Sequence, residues 1–180
     1  MQIILFWGLV WGVFEATAGA LLHLLPFAAG AYIWFPAAYF FMDRVYQKTG
    51  QKRAVVGSAL LSAAIKLLGL FSAMRPDYVI HPAVSIVLEG MAMACVLALL
   101  RKGRGTPAEI AVKIVSINTL WRLGYSLFLF VLAPVWAREG SAVQSMAAFL
   151  SFMIRENLLS SLVCGAVAMA VDQRGVLQLR

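Results

Sequence analysis

Residues 82–104 read PAVSIVLEGMAMACVLALLRKGR. From Pro82 to Leu100 a single charged side chain, Glu89, interrupts the apolar run, and Arg101, Lys102 and Arg104 follow at once. At ~1.5 Å per helical residue this run approaches the ~30 Å hydrocarbon core of a bilayer. The run reads as a membrane-crossing helix, and the basic cluster behind it as a cytoplasmic anchor.

The same grammar recurs along the chain. Of 180 residues, 62% are hydrophobic and only 13% charged, with a mean hydropathy of +0.86. A soluble domain carries ~45–50% apolar and about 25% charged residues. Disorder is excluded by the apolar content, and a soluble globule by the lack of polar surface to cover it. Six apolar segments are expected to cross: about Ile3–Leu25, Phe27–Met42, Ala54–Ala73, Pro82–Leu100, Pro107–Pro134 and Ser145–Val171. The second is short and holds Pro36, which suggests a tilt or a break. Ala16-Thr17-Ala18 resembles a cleavage site. However, Met1-Gln2 lacks a basic residue and Glu15 interrupts the run, so the first segment is expected to be a retained helix. The expected fold is all-α: one transmembrane domain over residues 1–180.

The net charge of +7 does not point to nucleic acid, because the basic residues sit between apolar runs. Arg44, Lys48, Lys52 and Arg53 form one cluster, Arg101, Lys102 and Arg104 a second, and Arg174 and Arg180 a third. The alternate loops are poorer in Lys and Arg, so six spans leave both termini in the cytoplasm of a multi-pass plasma or inner membrane protein. Residues from Asp172 onward read as a polar tail. Cys95 and Cys164 lie in apolar runs without metal-ligand spacing, and read as small buried hydrophobes.

The halves resemble each other. Val13-Phe-Glu15-Ala-Thr-Ala18 parallels Val87-Leu-Glu89-Gly-Met-Ala92, and Ser62-Ala-Ala-Ile65-Lys66 parallels Ser151-Phe-Met-Ile154-Arg155. Trp34 and Tyr39 pair with Trp121 and Tyr125. Three helices per half make this an inverted 3+3 repeat, an arrangement that places transporter sites at the repeat interface.

Charges inside membrane segments are costly and usually paired or functional. Glu15, Lys66, Glu89, Arg122, Arg155 and Glu156 come from five segments, with Asn118 and Asn157 beside them. They either form a self-neutralising network or line a polar pocket open to the outside. His23, Arg75, Asp77, Tyr78, His81 and Trp136 lie toward the outer face, and each alone reads as an interfacial anchor. Two histidines without a spacing motif make a weak metal case. Gly8, Gly12, Ala16 and Ala20 form a small-residue stripe suited to close helix approach, within the bundle or with a separate membrane protein. No phosphate-binding loop, nucleophile elbow or His-Glu-x-x-His is present, so neither catalysis nor a cofactor is expected, and any ATP-driven step belongs to another subunit.

In size, span number and the Ala16–Ala20 pattern preceded by Gly8 and Gly12, the chain resembles the substrate-binding (S) components of energy-coupling factor transporters. The resemblance implies capture of a vitamin-like micronutrient from outside, followed by docking through that stripe onto a membrane coupling protein driven by two ATPases. On this reading Lys66, Arg122 and Arg155 bind anionic groups, Glu15, Glu89 and Glu156 hold the bases or receive cationic groups, and His23 and Asn157 complete the pocket. The loops Met74–His81 and Ala137–Gln144 would close over it. Two other readings stand beside this one: a proton-coupled transporter using Glu15 and Glu89, and a lipid-modifying enzyme using an intramembrane Glu/His pair.

Overall fold

The computed structural model describes residues 1–22, 30–72, 75–100, 106–132 and 145–178. The regular structure among these residues is entirely helical, and they contain no strand. The elements are α1 (Gln2–Leu22), α2 (Gly30–Thr49), α3 (Lys52–Leu67) with a 3-10 turn (Leu68–Phe71), α4 (Asp77–Leu99) and α5 (Pro107–Leu132). A sixth rod follows, made of α6 (Met146–Leu150), a π-helical turn (Ser151–Glu156) and α7 (Asn157–Gln178). Leu150, Ser151 and Asn157 all keep right-handed helical backbone, so the rod runs through its π turn.

Four stretches are long and apolar enough to cross a membrane: Lys52–Phe71, Asp77–Leu99, Pro107–Val131 and Met146–Ala170. Gln2–Ala18 is a shorter apolar helix. Large apolar side chains cover outward faces, among them Leu5, Phe6 and Leu9 on α1, Leu123, Leu127 and Phe130 on α5, and Leu158 and Leu162 on α7. The interior holds Trp11, Phe35, Met42, Val55, Met93, Ile114 and Ile117.

Local chemistry sets the ends, and it moves several expected boundaries. Pro36 does not break α2, which continues through it to Thr49 and carries Arg44 and Lys48 on its last turns. Their cationic groups lie over the rings of Phe40 and Trp7 at 5.1 and 5.8 Å, as snorkelling side chains do. Gly50 closes α2 at φ 65°, a left-handed position that glycine occupies without strain, and its N–H returns to the Tyr46 carbonyl at 2.7 Å. α3 therefore begins only at Lys52, and the basic cluster spans a tight turn rather than a loop. α4 starts at Asp77, behind Pro76, and takes in Asp77–His81, which had read as loop. α5 opens with a capping box, in which Thr106 N donates to Glu109 Oε2 at 3.2 Å and Glu109 N to Thr106 Oγ1 at 3.3 Å, with Pro107 in the first turn. Ser145 Oγ caps α6 by accepting from Ala148 N at 3.0 Å. The rod's backbone stays helical to Gln178, across residues that had read as a tail.

α3 is the slender middle of the bundle. Ser58, Ala59, Ser62 and Ala63 are buried on it, and small side chains let α1 and α4 lie close on either side. A Cβ added at Gly8 would stand 2.9 Å from Leu61, and one at Gly12 2.5 Å from Ile65. On α4, a Cβ at Gly90 would meet the Ala59 methyl at 2.5 Å. Gly8 and Gly12 are thus spent on the α1–α3 seam inside the chain, which removes them from any open docking face. Ala16, by contrast, is exposed. The packing does not repeat between the halves. α1 lies along α3, whereas α4 and α7 form no comparable seam among the described residues.

Candidate functional site

Lys66 lies two turns beyond Ser58 on the buried face of α3, and the seams on either side bring Glu15 of α1 and Glu89 of α4 to it. On α4, His81, Ser85 and Glu89 recur every four residues and so share one face. On α5, Trp121 and Arg122 lie four and three residues before Tyr125, about one turn away, and all three side chains reach the same cavity. Together with Trp34 and Phe35 of α2, Pro82 and Ile86 of α4, and Phe152 and Glu156 of the π turn, these residues enclose a cavity of about 240 Å³.

The basic side chains are held from within the protein. Arg122 is 1% exposed. Its Nε donates to Asn118 Oδ1 at 3.1 Å, Nη1 to the Phe152 carbonyl at 2.9 Å and to Glu156 Oε2 at 3.5 Å, and Nη2 to Ser160 Oγ at 3.4 Å. The guanidinium lies over the rings of Phe152 and Trp121, at 4.4 and 5.0 Å. A buried charge is tolerable only with this degree of satisfaction. The π turn contributes directly, because the Phe152 carbonyl that receives Arg122 belongs to it, and such turns tend to occur at functional sites. Lys66 Nζ donates to the Glu15 backbone carbonyl at 2.9 Å.

Asn118 is the hub of the support. Fully buried, it accepts at Oδ1 from Trp121 Nε1 at 2.8 Å and from Arg122, while Nδ2 donates to Ser160 Oγ and Ser161 Oγ, each at 2.8 Å, and to the Asn157 carbonyl at 3.0 Å. This knot ties α5 to α7 and fixes the orientation of the Trp121 and Arg122 side chains. Asn157 belongs to it, donating to Thr119 Oγ1 at 2.8 Å, and does not line the cavity.

The acids are placed differently. Glu15 Oε1 accepts from Trp11 Nε1 at 3.3 Å. Glu89 is 4% exposed, lines the cavity, and takes part in no hydrogen bond or ion pair with any other group among the described residues. His81 Nδ1 and Tyr125 Oη are hydrogen-bonded at 2.9 Å, joining α4 to α5 at the cavity wall.

No protein-family model, curated protein or solved structure matches the chain.

Of the eight side chains expected to bind substrate, Glu15, Lys66, Glu89, Arg122 and Glu156 meet at the cavity. Arg155 points to the exposed side of the π turn and stays outside it, because one residue along a helix rotates the side chain by roughly a quarter-turn or more from Glu156. His23 lies outside the described residues, as does the side chain of Ala20. The sequence alone does not single out the aromatic walls or Ser85 as site residues. His81 had been read as an outer anchor, although its four-residue spacing to Ser85 and Glu89 was a usable signal. Among the described residues no group of three or more His, Cys, Asp or Glu is arranged to hold a metal ion.

Proposed function

We propose that this chain is a six-span integral membrane protein that captures a small organic molecule in its central cavity, as the substrate-binding component of an uptake system. The single observation that carries the reading is the cavity itself. It is lined by charged side chains from α1, α3, α4, α5 and the π turn, and by five aromatic rings. A few placed polar groups among apolar and aromatic walls is the usual make-up of a small-molecule site. A purely structural network would pair all its charges and leave no room, whereas Glu89 has no hydrogen-bond or ion-pair partner among the described residues and the space beside it is open. The apolar outer faces and the basic turn between α2 and α3 support a bilayer setting with both termini in the cytoplasm.

The energy for uptake comes, on this reading, from a membrane coupling protein and two ATPases, as the resemblance to S components implies. Ala16 is the member of the small-residue stripe that supports docking, since it is exposed on α1. Native mass spectrometry of the gently extracted protein tests the capture reading. A small-molecule adduct is expected on the wild type and not on Ser85→Trp, whose indole fills the cavity. An identical ligand-free spectrum for both proteins, with no small molecule able to bind either, would rule it out.

A further inference from the structure

We propose that the molecule held in this cavity is an organic cation of about ten non-hydrogen atoms, its positive group set against Glu89 and its body among the aromatic rings. The proposal rests on the capture reading and adds the ligand's chemistry to it. A cavity of ~150 Å³ takes a benzene ring, and scaling to about 240 Å³ gives room for about ten atoms.

The sign of the charge follows from which groups are already committed. Three carboxyl groups and two basic groups line the cavity. Arg122 places Nε, Nη1 and Nη2 on protein acceptors, lies against the Trp121 and Phe152 rings, and has Glu156 as its ion partner. Lys66 lies beside Glu15, to whose backbone it donates, and these two opposite charges balance. Glu89 is left over: among the described residues no group hydrogen-bonds or ion-pairs with its carboxyl. Ionising a lone carboxyl group in a low-dielectric site costs far more than ionising a paired one, so the occupant that lets Glu89 carry its charge brings a positive charge. Trp34, Phe35, Trp121, Tyr125 and Phe152 line the cavity, and aromatic walls favour a cation over an anion. A bare metal ion is a poor fit, because it needs several donor atoms at once and no such cluster exists among the described residues.

The test uses the full chain in lipid nanodiscs and three probes of similar shape: 2-phenylethylamine, 2-phenylethanol and 3-phenylpropionate. Binding is read by calorimetry and by quenching of tryptophan fluorescence, with melting temperature as the check on folding. The amine is expected to bind at least about tenfold more tightly than the alcohol, and the carboxylate least, since one charge-assisted contact separates them. Glu89→Gln should abolish the preference for the amine over the alcohol measured on the same variant, and Glu89→Asp, which keeps the charge, should retain part of it. A carboxylate that binds best, an amine preference that survives Glu89→Gln, or an amine that does not bind at all overturns the proposal. If the alcohol or the carboxylate binds best and Ser85→Trp removes that binding, the cation is refuted and the capture reading stands. If Ser85→Trp leaves the binding of every probe unchanged, both fail.

Discussion

Gly90→Ala adds one methyl group at the closest point between α3 and α4. The new Cβ would stand 2.5 Å from the Ala59 methyl carbon, while the Val55 carbonyl at 3.7 Å leaves ordinary space. Carbon atoms pack best at ~3.5–4.0 Å, so the seam must open by about 1 Å locally. Neither methyl can rotate away, because both are fixed to helical backbones. Overpacking of this kind costs about 1–3 kcal/mol. For a chain of this size each kcal/mol moves the melting temperature by about 2–4 °C, so a fall of about 2–12 °C in mild detergent is expected. Removing the other methyl should undo it. Gly90→Ala combined with Ala59→Gly exchanges the two positions and should recover most of the loss, because the cost of about 1 kcal/mol for the new helix-interior glycine is offset by the glycine removed. Because Glu89 and Lys66 flank this seam, ligand affinity should fall and recover with stability. A Gly90→Ala protein that melts with the wild type, or a double variant no better than the single one, would refute the close-packed α3–α4 seam.

Other outcomes follow from the same structure. Asn118→Ala leaves Trp121 Nε1 and Arg122 Nε without their partner, at about 1–3 kcal/mol for each buried group stranded, while Ser160 and Ser161 keep other hydrogen bonds, and it should lower the melting temperature more than any single substitution at the cavity wall. Gly12→Leu should destabilise the isolated protein by driving a side chain into Ile65, whereas Ala16→Leu should leave folding and ligand binding intact and reduce only coupled uptake in cells. In a background lacking Cys95 and Cys164, cysteines at Thr49 and Thr106 should react with an impermeant maleimide only in opened membranes, and one at Ser72 in intact cells. Labelling at Thr49 in intact cells would reverse the orientation. Arg155→Gln, on the exposed side of the π turn, should leave ligand affinity within about twofold of wild type, as a change at an exposed position does when measured by calorimetry.

The helices were legible in the chain because length and apolarity are local properties. Pro82–Leu100 and its basic sequel announce a span whatever surrounds them. Local capping signals were present too, but they compete with composition. Asp77 behind Pro76 starts α4 a turn before the apolar run suggests, and Gly50 shortens the basic loop to a turn. The candidate charges were also visible, since an ionisable group in an apolar run stands out against its neighbours. Their allegiance was not. Whether an arginine binds substrate or is already satisfied depends on what lies across the helix interface, and Asn118, Ser160 and the Phe152 carbonyl are 4 to 38 residues away from Arg122 in the chain. The glycine stripe shows the same limit. Small residues every four positions mark a face that something approaches closely, but only the tertiary structure identifies α3 as the neighbour of Gly8 and Gly12. Sequence fixes which groups carry charge and which faces are slender. Packing decides which charges are neutralised inside the chain and which, like Glu89, are left facing open space, because electrostatic pairing in a low-dielectric interior acts over a few ångströms of space and not along the chain.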